Sequence, residues 1–167
     1  MGGCFGVEYA PHHTEVEVTV EGATVTKHAQ SLYLASPAER IRLIREQVPA
    51  SRLKDLASEM HISQEHLLDM LQLPHASVRR KSRQGATLTT EQGERVIGLE
   101  CLIGQVAIMV EESGDTISFD AARWVGWWLD QPVPALGGAL PSEFVGILTG
   151  QKLLSEVLLQ SQAGVFA

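Results

Sequence analysis

The apolar residues between Ser36 and Glu112 follow the three-to-four-residue spacing of amphipathic helices. The first predicted helix begins after Ser36, because Pro37 suits a first helical turn and Glu39 completes a capping box. Its inward positions are Ile41, Ile44 and Val48. Four further helices are predicted from their apolar faces and from the Ser, Pro, Gly or Thr residues that bound them, over 51–60, 63–72, 75–84 and 90–112. Short helices joined by tight turns predict a helix-turn-helix domain.

Residues 1–35 have a different pattern. Glu15–Val20 and Ala23–Thr26 alternate with a period of two, and Glu21-Gly22 between them suits a weak hairpin turn. We favour a flexible extension, because chain termini are often loosely held. The alternative is a β-hairpin that docks on a partner or on the second copy of a dimer.

The helix over 90–112 is apolar on more than one face. It is predicted either as a central core helix that joins the two halves of the chain or as a dimer face. Both interpretations are compatible, since helix-turn-helix proteins usually pair to read two half-sites.

The last part of the chain reads as a helix, a Pro/Gly corner and two further helices. Ser118 is the predicted N-cap of a helix that contains Trp124, Trp127 and Trp128, of which Trp124 and Trp128 share an inward face. Pro141 is predicted to begin the next helix and Gly150 the last one. The inward positions of the last helix are Leu153, Leu154, Val157 and Leu158.

Composition narrows the function classes. The chain has 167 residues, enough for one domain or two small ones. Its cysteines, Cys4 and Cys101, lie far apart, and no secretion signal or membrane span is evident, so we expect a soluble cytoplasmic protein. His12-His13 has no further ligand at useful spacing, so no metal site or cofactor is predicted. We find no catalytic constellation and expect no enzyme.

The net charge of −7 is unevenly distributed. Residues 1–35 carry −3, residues 36–97 carry +2 and residues 98–167 carry −6. Only the middle segment is therefore suited to a polyanion.

Charge also decides which helix would read DNA. The helix over 63–72 contains Glu65 and Asp69 and no Lys or Arg, so a major groove would repel it. We therefore predict 64–71 as the support helix and 75–84 as the recognition helix, joined by the turn 71–74. The predicted DNA-binding residues are His75, Ser77, Arg79, Arg80, Lys81 and Arg83. The alternative is a solvated basic face, or one that docks an acidic partner.

The C-terminal motifs resemble those of the Xre/MbcA/ParS-like antitoxin family. The matching residues are Trp128-Leu129, Pro132, Leu136-Gly137-Gly138, Pro141, Thr149-Gly150, Val157, Leu158-Leu159 and Gly164-Val165-Phe166-Ala167. The resemblance covers about 36–167, and Arg79-Arg80 matches the basic pair usual in the family's recognition helix. Ala139 departs from the family, which often has a basic residue there, and residues 1–35 have no counterpart.

The resemblance implies an antidote to a RES-domain toxin, a class that consumes NAD⁺. It implies three units: an extension over 1–35, a helix-turn-helix domain over 36–112 and a toxin-binding domain over 113–167. The implied partners are the toxin and operator DNA, with a homodimer inside a toxin–antitoxin hetero-oligomer, and the implied regulation is repression of its own operon.

The final residues 164–167 are expected to plug the toxin's active-site cleft. Phe166 offers an aromatic surface and the carboxylate of Ala167 an anion. The alternative for the whole chain is a stand-alone helix-turn-helix regulator with a C-terminal dimerisation domain.

Overall fold

The fold is built from α-helices, as the sequence predicts. We describe a computed structural model over residues 26–114 and 119–162. Its helices are α1 (26–34), α2 (Pro37–Arg45), α3 (Arg52–Glu59), α4 (Gln64–Met70), α5 (His75–Arg83), α6 (Thr90–Glu112), α7 (Ala121–Trp128) and α8 (Leu148–Gln162). Short 3₁₀ turns span Pro134–Leu136 and Pro141–Glu143. The predicted all-α fold class is confirmed.

Helix α6 is the centre of the molecule, and α2, α7 and α8 pack against it. It is buried almost continuously from Val96 to Ala107, including the polar residues Glu100 and Gln105. This burial explains why its apolar residues cover more than one face, and it confirms the prediction of a central core helix. Helices contributed by both halves of the chain thus share one core.

Two of the predicted capping residues, Ser36 and Thr89, begin their helices as expected. The Ser36 hydroxyl accepts a hydrogen bond from the N–H of Glu39, and the Glu39 carboxylate accepts one from the N–H of Ser36. The hydrogen bond from the Ser36 backbone lowers the pKa of the Glu39 carboxyl below its usual value, and the Ser36 hydroxyl adds to this effect. Thr89 and Gln92 form a second capping box at the start of α6.

The structure corrects the N-terminal boundary of the folded region. Residues 26–34 are helical, and Ala29 and Leu32 are buried in the core. Thr26, the last residue of the alternating pattern, is therefore helical, and the segment from it to Leu34 belongs to the folded domain rather than to a loose extension. The rest of the predicted hairpin, over 15–25, and His12-His13 lie outside the described residues.

Several smaller expectations are also corrected. The N-cap of α7 is Asp120, whose carboxylate accepts a hydrogen bond from the N–H of Arg123, instead of the predicted Ser118, which lies outside the described residues. Helix α8 begins at Leu148, two residues before Gly150. Leu153 and Ile41 are exposed rather than inward. Pro141 begins a 3₁₀ turn instead of an α-helix.

Candidate functional site

Helix α5 is held against the core by a single buried side chain. Val78 is fully buried, whereas Arg79, Arg80 and Arg83 are exposed. A nine-residue helix with one inward anchor presents most of its surface to solvent. The candidate DNA-binding residues thus share one accessible helix, and His75, Ser77 and Lys81 on the same helix are partly buried.

The turn that leads into α5 is tightly fixed. Gln72 has a φ of 53°, in the left-handed region that is uncommon for a residue other than glycine. Leu73 is buried, and its N–H donates to the carbonyl of Leu68 at 2.8 Å. From α6, Arg95 donates to the carbonyls of Leu71 and Gln72. These bonds satisfy the end of α4 and fix the angle at which α5 leaves it.

The acidic residues of α4 pair with basic residues of α5. Nε2 of His75 lies 2.7 Å from a carboxylate oxygen of Asp69, and a guanidinium nitrogen of Arg79 lies 2.5 Å from Glu65. All four side chains are at least one-third exposed. Helix α4 is therefore linked to α5 by two exposed pairs of side chains.

The remaining basic residues of α5 lie away from these carboxylates. The Lys81 ammonium donates to the side chain of Gln92 at 3.4 Å, and Nε of Arg83 donates to the Arg79 carbonyl at 3.4 Å. Among the described residues, Arg80 forms no ion pair and no side-chain hydrogen bond. The two arginines of the Arg79-Arg80 pair thus have different surroundings.

In the C-terminal half, α7 carries an aromatic cluster that is partly core and partly surface. Trp128 is buried and stacks on Trp124, with ring centroids 5.8 Å apart and an interplanar angle of 12°. Trp127 is 58% exposed, and the centroid of its ring lies 6.3 Å from that of Trp124. The prediction that Trp127 lies off the buried face is confirmed. Leu129 at the end of α7 is fully buried.

The Leu-Gly-Gly segment forms a closed corner. Gly137 and Gly138 have φ values of 68° and 86°, which glycine adopts without steric cost. The N–H of Gly138 donates to the Val133 carbonyl, and the N–H of Val133 donates to the Ala139 carbonyl. The corner begins after the exposed Pro132, keeps Leu136 partly against the core, and returns the chain to the buried Pro141.

Helix α8 joins the C-terminal half to α6 through polar side chains. The buried amide nitrogen of Gln151 donates to the carbonyls of Arg95 and Val145, both at 2.9 Å. The hydroxyl of Ser155 donates to Gln105 at 2.7 Å. Several apolar side chains at or near this helix remain exposed: Ile147, Leu148, Leu153 and Leu159. Residues 164–167, the predicted inhibitory tail, lie outside the described residues.

Two comparisons with known proteins bear on this arrangement. The family model for the antitoxin Xre-like helix-turn-helix domain matches residues 39–99, which include α3, α4 and α5. A curated protein from Sphingobium sp. (strain YBL2), named Prs ADP-ribosylating antitoxin, is 45% identical over 138 residues, which are 83% of this chain and 87% of that protein.

The chain belongs to the Xre-type antitoxin family. The family resemblance expected from the C-terminal motifs is thereby confirmed. As an antitoxin with a helix-turn-helix domain, the protein has two kinds of partner, a toxin and DNA.

No helix in the described part of the chain is long and apolar enough to span a bilayer. Over the same residues, no group of three or more His, Cys, Asp or Glu side chains is arranged to hold a metal ion.

Sequence reasoning did not anticipate the pairing between α4 and α5. It treated Glu65 and Asp69 only as evidence against DNA reading by α4. Glu65 and Asp69 lie one helical turn apart in the sequence, as do His75 and Arg79, and this matched spacing could have predicted the pairing. Helix α5 therefore carries fewer unpaired basic side chains than its sequence suggests.

Proposed function

We propose that this antitoxin neutralises a RES-domain toxin that consumes NAD⁺, and that it represses its own operon. The relative's name connects an antitoxin with ADP-ribosylation of Prs. Since ADP-ribosylation transfers ADP-ribose from NAD⁺, a toxin with that activity consumes NAD⁺. The C-terminal motifs shared with antitoxins of RES-domain toxins support the same partner.

We assign DNA binding to α5. Its exposed arginines, its fixed entry turn and its place within the matched helix-turn-helix region support this assignment. The proposed DNA-binding residues are His75, Ser77, Arg79, Arg80, Lys81 and Arg83. A homodimer within a toxin–antitoxin hetero-oligomer would place two recognition helices on two half-sites, which is how most such domains bind.

We assign toxin binding to the unit over 113–167. The exposed side chains of Ile147, Leu148, Leu153 and Leu159 provide apolar area for a protein interface. Residues 164–167 are proposed to enter the toxin's nucleotide cleft, where Phe166 supplies an aromatic contact. The functional division into 36–112 and 113–167 is compatible with one shared core, since α6 packs against helices of both units.

The toxin assignment is tested by co-expression with the product of the adjacent gene. Growth and cellular NAD⁺ are measured with the wild-type antitoxin, with Phe166→Ala and with an Arg80→Ala/Arg83→Ala variant. We expect the wild type and the α5 variant to restore both readouts, and Phe166→Ala to restore neither fully. If the adjacent product leaves NAD⁺ unchanged when expressed alone, a NAD⁺-consuming partner is excluded at that locus.

DNA binding is tested separately with the duplex upstream of the antitoxin gene. If a dimer neutralises about six phosphates, affinity should fall on the order of a thousandfold between 50 and 200 mM salt. Phe166→Ala should bind like the wild type, and the α5 variant should not bind. Retained affinity in the α5 variant would place the DNA contact elsewhere.

A further inference from the structure

The contacts between α4 and α5 form two matched rungs. Glu65 and Asp69 lie one turn apart on α4, and Arg79 and His75 lie one turn apart on α5. Glu65 pairs with Arg79 and Asp69 with His75, so the helices run in opposite directions along this seam. The carboxylates thus occupy one flank of the recognition helix over about one turn.

This arrangement divides the basic residues of α5 into two groups. Arg79 and His75 already face a carboxylate, whereas Arg80 forms no ion pair with any described residue. Positions 79 and 80 are successive on a helix, so their side chains leave it about 100° apart. One arginine is held by the protein and the other is available to a ligand.

We propose that Glu65 and Asp69 are specificity-determining residues that suppress sequence-independent binding of DNA. This proposal rests on the assignment of DNA binding to α5. The carboxylates act by keeping Arg79 and His75 from backbone phosphates and by repelling phosphates that approach that flank. An operator is bound despite this cost, because base-edge contacts compensate for it.

Sequence-independent binding and operator binding depend on different contacts with DNA. Sequence-independent affinity comes almost wholly from neutralised phosphates. Contacts to base edges supply the additional affinity for the correct sequence. A carboxylate beside the recognition helix therefore removes a larger share of the non-specific affinity than of the specific affinity.

The pairs are well suited to this role because they are exposed. The Glu65 side chain is 66% exposed and that of Asp69 is 69% exposed, and an exposed ion pair adds little to stability. Their loss should leave the fold intact. For comparison, Arg42 on α2 and Glu46, the C-cap of that helix, form another exposed ion pair, at 3.8 Å.

The test compares Glu65→Gln with Glu46→Gln, which removes the same charge and an exposed ion pair at the end of α2. Each variant is titrated with the upstream duplex and with a duplex of the same length and shuffled sequence. We expect Glu65→Gln to raise affinity for the shuffled duplex roughly fivefold, the scale of one surface ion pair. Its salt slope on that duplex should steepen by about 0.9, the contribution of one more phosphate contact. Affinity for the upstream duplex should rise less, so specificity falls, and Asp69→Asn should act in the same direction.

The outcomes distinguish failure of the inference about Glu65 and Asp69 from failure of the assignment of DNA binding to α5. If wild-type protein binds the upstream duplex and Arg80→Ala abolishes binding, α5 is the DNA-binding helix. Given that result, unchanged or weaker binding of the shuffled duplex by Glu65→Gln would overturn the inference, and weaker binding would make Glu65 a support for Arg79. An equal gain with Glu46→Gln would overturn it as well, since net charge alone would explain the gain. No binding by the wild type at low salt would overturn the DNA assignment and the inference together.

Discussion

Arg52 on α3 holds the buried carboxylate of Glu100 on α6, with its Nε 2.7 Å from Oε1 of Glu100. The same guanidinium donates to both carboxylate oxygens of Glu59, at 2.6 and 3.0 Å. Burial lowers the pKa of Arg52, but the hydrogen bonds and charges of Glu59 and Glu100 outweigh that effect and raise it above its usual value. One cation thus satisfies two carboxylates where the helix-turn-helix meets the core.

Replacing Arg52 should therefore destabilise the fold severely. Arg52→Met leaves Glu100, which is only 3% exposed, without its main partner. Removing one member of a buried pair typically costs about 3–5 kcal/mol. The free energy of unfolding is measured by urea titration, with Arg42→Met as the control from an exposed pair, where less than about 1 kcal/mol is expected. Similar losses in the two variants would show that Glu100 does not depend on Arg52.

Gly98 should not tolerate alanine. A Cβ at this position would collide with the side-chain amide of Gln151, which holds two backbone carbonyls. Gly98→Ala should therefore cost about 1–3 kcal/mol, through strain or lost hydrogen bonds. The control is Gly93→Ala on the same helix, where the nearest atom is a Val48 methyl carbon at 3.2 Å. Chemical denaturation of both variants checks this, and equal stabilities would contradict it.

Gly104 should be required for the docking of α1. A Cβ there would collide with the carbonyl of Ala29, which belongs to the backbone and cannot rotate away. Gly104→Ala should release the helix over 26–34 while the rest of the core stays folded. Hydrogen exchange by mass spectrometry should show faster exchange over 26–34 than in the wild type. Unchanged protection there, together with unchanged stability, would refute the contact.

The neighbouring tryptophans of α7 should differ in their effect on stability. Trp128 is 8% exposed and Trp127 is 58% exposed. Trp128→Ala leaves a large cavity and should cost about 3–5 kcal/mol. Trp127→Ala should change stability by no more than about 0.5 kcal/mol. Thermal unfolding followed by circular dichroism compares them directly, and an equally damaging Trp127→Ala would mean that its exposed ring is covered.

Cys101 should react slowly with thiol reagents in the folded state. Burial raises the pKa of its thiol, and the charge of Arg40 only partly opposes this effect. Because the pKa of the thiol is higher in the folded than in the unfolded state, the neutral thiol stabilises the folded state at pH values below its ordinary pKa. This stabilisation is lost as the pH rises through the raised pKa.

In a Cys4→Ser background, labelling of Cys101 should follow global unfolding. Stability should also fall more steeply above pH about 9 than in a Cys4→Ser/Cys101→Ala control. Fast labelling of native protein would contradict the burial.

Local features of the fold could be predicted from sequence because their causes lie within a few residues. Ser36 and Glu39 cap α2 across three positions, and Thr89 and Gln92 do the same for α6. The spacing of apolar residues located α3 to α6 and the inward Trp128 in the same way. The assignment of α5 as the recognition helix also came from sequence, through the signs of its own charges and those of α4.

Contacts between distant segments required the tertiary structure. Neither the docking of Ala29 on Gly104 nor the pairing of Arg52 with Glu100 has a signal in the intervening sequence. The alternating pattern that ends at Thr26 left a hairpin open as the alternative to a loose extension, but residues 26–34 form a helix, because Ala29 and Leu32 are buried in the core.

Helix α5 shows the same contrast between local and tertiary causes. By itself, the sequence determined which helix is basic, where it begins and which family motifs follow it. Only the tertiary structure decided that Arg79 faces Glu65 while the adjacent Arg80 faces no carboxylate among the described residues. The physical reason is that helix periodicity sets the direction of each side chain relative to its own axis, whereas its partners depend on how neighbouring helices pack.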